Sequence, residues 1–204
     1  MELHLWLSLV LICVLGAMSP GPSLAVVIKN TLVGGQSQGY ATAISHGIGV
    51  AFYAAITSTG IGLIIVQSEF IYLSIQYAGA AFLVYLGIKS LLTKKNTLAL
   101  TDMNTTAVKK VNGWREGFLI AFLNPKLAIF FLALFSQFVD ANASWQQILI
   151  MTFTVGIIDA LWYSIVTFTI SRGKIINTLR DNSHIVDKIT GGFLLLLAAR
   201  VMVN

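Results

Sequence analysis

The chain has 204 residues, of which 56% are hydrophobic and only 10% charged, against roughly 25% charged in an ordinary globular domain. So short a chain cannot enclose that much apolar surface behind 13 basic and 8 acidic side chains, because surface grows too fast relative to volume at this size; lipid must be part of its solvent. The single Cys13 excludes an internal disulfide, a redox pair and a thiolate metal site, the scattered His4, His46 and His184 form no metal cluster, and no phosphate-cradling Gly-x4-Gly-Lys-Ser/Thr loop is present.

A membrane-spanning helix needs about 20 largely apolar residues, and the chain offers six such stretches: 3–28, 40–66, 70–92, 115–139, 147–170 and 186–203. The first reads as a span rather than a cleaved signal, since Glu2 and His4 supply no positive leader and the apolar run is too long. Within it, Ser19, Pro20, Gly21 and Pro22 interrupt the apolar pattern; each proline lacks an amide hydrogen and crowds the preceding turn, so the helix must kink or break. The second span carries His46 and a stripe of small residues at i+4 spacing, Gly39, Ala43, Gly47, Ala51 and Ala55, which suits close helix contact. His46 reads as a hydrogen-bonded structural group or as a proton carrier.

After the third span comes a polar connection, 93–114, which divides the chain into a first three-helix unit, 1–92, and a second, 115–204. The fourth span repeats the proline interruption at Asn124, Pro125 and Lys126. The fifth carries Asp159, a shorter small-residue stripe at Gly156, Ala160 and Ser164, and Trp162 and Tyr163, which with Cys13 and Tyr53 read first as packing residues.

Charge orients the chain. The net charge is +5, and eleven of the 13 basic residues fall on alternate connections, while the opposite connections hold Glu2, Glu69 and Asp140 with no Lys or Arg. The basic connections are therefore cytoplasmic and both termini lie outside; the excess charge marks a membrane face and calls for no nucleic acid. Aligning residue n with n+111 puts Phe82 on Phe193, Leu83 on Leu194 and Leu86 on Leu197, and an offset of 105 puts Pro20 on Pro125. Three helices per unit makes the second unit enter from the other side. The fold expected is an all-α integral membrane protein, six transmembrane helices forming two inverted three-helix repeats, with helices 1 and 4 interrupted at prolines.

Two matched interruptions point to a shared cavity near the midplane, since unpaired backbone groups at membrane depth need protein or a water-filled cavity to satisfy them. Only Lys126 and Asp159 are ionisable and deep in the spans, and a charge there is disfavoured by at least about 2.5 kcal/mol on insertion scales. They either pair with each other or meet a substrate carrying both signs. The cavity is expected among helices 1, 2, 4 and 5, with the interrupted helices offering positive N-terminal ends to a carboxylate. No set of two or three convergent catalytic groups is visible, so no enzyme and no cofactor are expected.

At these residues the chain resembles the lysine exporter and threonine/homoserine exporter superfamily, LysE/RhtB. The likeness runs nearly the full length and rests on Pro20-Gly21-Pro22, the Gly35 and Gly39 turn, the run from Gly79 to Gly87, Gly117 with Asn124-Pro125-Lys126, Phe130 and Phe131, and Asp159 with Trp162. Ala121, Ser136 and Phe82 depart from the pattern and leave the substrate open. The resemblance implies a secondary exporter of neutral or small zwitterionic amino acids, threonine- or homoserine-like, coupled to protons and placed in a bacterial inner membrane. The substrate would then be held by Ser19, Pro20, Gly21, Pro22, Asn124, Pro125, Lys126 and Asp159, with Asp159 and His46 carrying the proton. A passive small-solute channel and a small intramembrane enzyme are the alternatives. If the small-residue stripes are exposed, a homodimer follows.

Overall fold

The computed structural model describes residues 2–19, 21–92, 111–139, 143–172 and 176–203, with the backbone alone at 65, 66, 69, 125, 176–183, 186 and 200–203. Pro20, Asp140 and most of the 93–114 connection lie outside the described residues. Among those described, every regular element is a helix: α1 (Leu3–Met18), α2 (Pro22–Gln67), α3 (Glu69–Leu91), α4 (Gly113–Phe122), α5 (Pro125–Phe135), α6 (Trp145–Ser171) and α7 (Ile176–Val203).

Their starts follow from local chemistry. Ser68, Asn112, Asn124 and Ser144 each accept a hydrogen bond from an amide in the first turn of α3, α4, α5 and α6, which satisfies donors that no helical carbonyl can reach. Two helices, α2 and α5, open instead on proline, which loses nothing at a first position whose N–H has no intrahelical partner.

Although α2 covers 46 residues, it is not straight. A straight helix puts residues 30 and 42 about 18 Å apart at 1.5 Å per residue, yet Asn30 Nδ2 donates to Thr42 Oγ1 at 3.0 Å, so the chain turns back on itself between them. The turn is at Gly35, whose φ of 79° lies in the left-handed region that costs an L side chain energy and glycine nothing. Arms 22–34 and 36–67 therefore lie side by side, and Thr31 Oγ1 bonds both Val27 O and Thr167 Oγ1 of α6.

Among the described residues three helical stretches are long and apolar enough to cross a membrane, Pro22–Ile64, Phe70–Leu91 and Trp145–Ser171, and the bent pair Gly113–Phe122 and Lys126–Phe135, 56° apart, makes a fourth when taken as one span. The sequence counts six, and the difference has local causes. α1 stops at Met18 after 16 residues, the first arm of α2 joins the second in one element, and the apolar part of α7 follows a polar start.

Packing is inside out relative to a water-soluble protein. On α6 the stripe Phe153, Ile157, Leu161 and Ile165 is exposed, whereas Asp159 and Thr167 are buried. Such an apolar outer face suits lipid and the polar face turns inward. The helices approach closely at glycines: a Cβ on Gly47 of α2 would come within 2.7 Å of Gly156 O of α6, and one on Gly191 of α7 within 2.7 Å of Gly87 O of α3. The small-residue stripes of α2 and α6 thus face each other inside one chain. The expected homodimer rests on the exposure of these stripes, and much of that surface is used in packing within the chain.

Candidate functional site

A cavity of about 570 Å³ opens where the proline-headed starts of α2 and α5 meet. Its wall includes Ser19, Gly21, Pro22, His46, Asn124, Lys126 and Asp159, so the described side chains of the predicted site converge on one space. Pro125 heads α5 at the same place. The two starts face each other directly, since a Cβ on Gly21 would lie 4.0 Å from Lys126 Nζ.

The cavity is wider than the sequence suggests. Besides helices 1, 2, 4 and 5 of the prediction, α3 contributes Phe82, Tyr85, Leu86 and Lys89, and α7 contributes Asp187, Thr190 and Leu194. Cys13 and Tyr163, read above as packing residues, are buried and also line it, whereas Tyr53 does pack, against the ring of Phe122.

Asp159 does not pair with Lys126. Its Oδ2 lies 2.6 Å from His46 Nδ1, and His46 Nε2 lies 2.8 Å from Ser23 Oγ. All three residues are buried, and Tyr163 stands edge-on to the imidazole at 5.0 Å between ring centroids. An ionised carboxylate only accepts, so Nδ1–H donates to Asp159; Nε2 then accepts from the Ser23 hydroxyl in the neutral ring and donates to it in the imidazolium. Both ring states keep two hydrogen bonds, which lets a proton enter or leave without stranding a buried polar group. Ser23, His46 and Asp159 also form the convergent set whose absence argued against an enzyme, so that argument does not hold. Ser23 closes the proline-interrupted stretch in the sequence but carries no sign of a role there; its contact with His46, one residue after the Pro22 helix start, singles it out.

Lys126 lines the same cavity, with its Nζ beside Gly21. Its amide is capped by Asn124 Oδ1 at 3.0 Å, and its ammonium, in no ion pair among the described residues, feels attraction from Asp187 and repulsion from Lys89. The apolar part of the lining includes Val50, Leu86, Phe130, Phe131, Val155 and Leu194. Most small-molecule sites have this form, an apolar chamber with a few convergent polar groups. Among the described residues no group of three or more His, Cys, Asp or Glu side chains has the spacing to hold a metal ion.

The family model of LysE type translocators matches residues 14–204. An uncharacterized membrane protein of Bacillus subtilis, YrhP, is 27% identical over 198 residues, 93% of this chain and 94% of its own. An uncharacterized membrane protein of Vibrio cholerae is 32% identical over 162 residues, 79% of this chain and 78% of its own. A leucine efflux protein of Salmonella choleraesuis is 31% identical over 127 residues, 61% of this chain and 58% of its own. No solved structure matches the chain.

Proposed function

We propose, from the premise that the chain belongs to the LysE type translocator family, that it is a proton-driven exporter of neutral amino acids with apolar side chains. The chain is a multi-pass bacterial membrane protein of an amino-acid-exporting family; the substrate, the coupling and the orientation are our reading. The observation that carries it is the meeting of the two proline-headed helix starts in one chamber, which is lined both by the Lys126 cation and by a buried Ser23–His46–Asp159 chain.

The substrate carboxylate sits by Lys126 and the N-terminal ends of α2 and α5, where free amides and the helix dipoles favour a negative charge. Apolar side chains then occupy the space among Leu86, Phe130, Phe131 and Leu194, which suits a leucine-like group better than the hydroxylated substrates implied by the superfamily resemblance. The relative named as a leucine efflux protein supports the same choice. His46 accepts the coupled proton, Asp159 stabilises the resulting imidazolium, and Ser23 switches from donor to acceptor.

Six crossings arranged as inverted repeats support alternating access. Arm 22–34 completes the crossing that α1 begins, arm 36–67 forms the second, and α4 with α5 forms the fourth. The crossings at Gly47 and Gly156 and at Gly87 and Gly191 bring corresponding helices of the two units together, as a pseudo-two-fold axis in the membrane plane requires. With the basic connections inside, both termini face the periplasm of the inner membrane.

Proteoliposomes loaded with a panel of labelled amino acids test this reading. Leucine and other apolar substrates should leave faster under an imposed proton gradient than without it; efflux indifferent to the gradient, or of no amino acid at all, overturns it. Counterflow of label against unlabelled substrate separates a carrier from a passive channel. A second reading, an intramembrane hydrolase with Ser23 as nucleophile, draws on the triad-like distances of Ser23, His46 and Asp159. Covalent labelling of Ser23 by a fluorophosphonate probe would favour it, and export without labelling favours the carrier.

A further inference from the structure

Asp187 of α7 lines the cavity and is only 4% exposed, and its Oδ2 is buried with no hydrogen-bond partner among the described residues. A carboxylate oxygen withdrawn from water and given no donor is costly, and native interiors seldom tolerate it without a reason. Asp159, the carboxylate that the sequence offers for a substrate ammonium, is already engaged by His46 at 2.6 Å. Asp187 is the second buried carboxylate on the cavity wall, and unlike Asp159 Oδ2 its Oδ2 has no donor among the described residues.

Its surroundings fit a zwitterion. Lys126 of α5 lines the same cavity, and His184 stands one turn earlier on the helix of Asp187. Lys126 and Asp187 attract each other but form no direct ion pair. A free α-amino acid carries its ammonium and carboxylate on adjacent carbons, so it can lie between two such groups and satisfy both. Position is fixed by the neighbouring contacts: Ser90 Oγ of α3 donates to Asp187 O at 2.6 Å, and Thr190 Oγ1, one turn on, donates to Leu15 O of α1 at 3.2 Å. These bonds tie the α7 backbone at Asp187 to α3 and α1.

We propose that Asp187 is the ammonium-binding residue of the cavity, so that ligands are recognised by a primary α-ammonium at Asp187 together with a carboxylate at Lys126. This rests on the reading of the cavity as the amino-acid site. It also divides the labour of the acidic residues, with Asp187 meeting the substrate and Asp159 serving His46.

The test is binding of labelled L-leucine to the full chain in lipid nanodiscs, with competition by unlabelled leucine and by 4-methylpentanoate, which is leucine without its ammonium. The wild type should prefer leucine by about tenfold or more, as expected when a charge-assisted hydrogen bond is lost. Asp187→Asn should lower leucine affinity by a similar factor and leave 4-methylpentanoate unchanged, so the preference collapses, while Asp187→Glu should retain most of it. Asp159→Asn should keep the preference. A preference that survives in Asp187→Asn overturns the assignment, and so does equal loss of both ligands in Asp187→Asn and Asp187→Glu, which would make the residue structural. Failure of the wild type to bind leucine or any other neutral amino acid would remove the underlying reading of the cavity, and the assignment with it.

Discussion

The two proline-headed helix starts that meet in the cavity use one backbone device and furnish it differently. At the first, Gly21 precedes Pro22 and no side chain caps α2; the polar group supplied is the Ser23 hydroxyl, bonded to His46. At the second, Asn124 caps α5 and Lys126 projects a fixed cation across to Gly21. One start is thus tied to hydrogen bonds that can change direction and the other to a charge that cannot. The same backbone device carries different side-chain chemistry at its two occurrences.

The largest disturbance of this comparison is Asp159→Ala. It leaves the buried His46 Nδ1–H without an acceptor, at a cost of about 1–3 kcal/mol for the stranded group, and gradient-driven efflux should vanish while the melting temperature of the purified protein falls. Lys126→Met comes next. The side chain is exposed to the cavity and unpaired, so folding should persist, but leucine affinity should drop by about tenfold or more with loss of its charge-assisted contact. Ser23→Ala removes one end of the hydrogen-bonded chain and leaves the His46–Asp159 bond in place; acceleration by the gradient should weaken by a few-fold, about what one net hydrogen bond supplies, with leucine binding unaltered. Gly21→Ala is the mildest. Its φ of −172° is extended backbone and the added Cβ meets Lys126 Nζ at 4.0 Å, so expression and efflux should stay near wild type. Gly117→Ala provides the contrast, because its Cβ would collide with Ser45 Oγ and Thr42 O across the α4–α2 contact; membrane-inserted yield should fall sharply.

Much of this was legible in the residues. Apolar runs, prolines inside them and small residues at i+4 announce helices, interruptions and close crossings because each depends on local sterics and solvation. The convergence of Ser19, Gly21, Pro22, Asn124 and Lys126 on one space follows the same logic. What could not be read is how helices rotate against one another. Lys126 and Asp159 are the charged residues deep in the spans, so the sequence offers them to each other or to a substrate of both signs; the fold gives Asp159 a histidine, which ordinary charge counting leaves out. Asp187 was hidden for another reason. It precedes Lys188 at the start of an apolar run and reads as the membrane edge, although α7 carries it onto the cavity wall.

The central claim is that substrate and proton use different side chains of one cavity, and the variant that separates them is Asp159→Asn, which keeps the side-chain volume and removes the charge that supports a protonated His46. Leucine binding and leucine efflux, with and without an imposed proton gradient, should be measured on the same purified preparation. The account predicts binding within about twofold of wild type, a difference of less than about 0.5 kcal/mol, and efflux that no longer responds to the gradient. Efflux that still accelerates with the gradient, or binding lost together with it, would contradict the division.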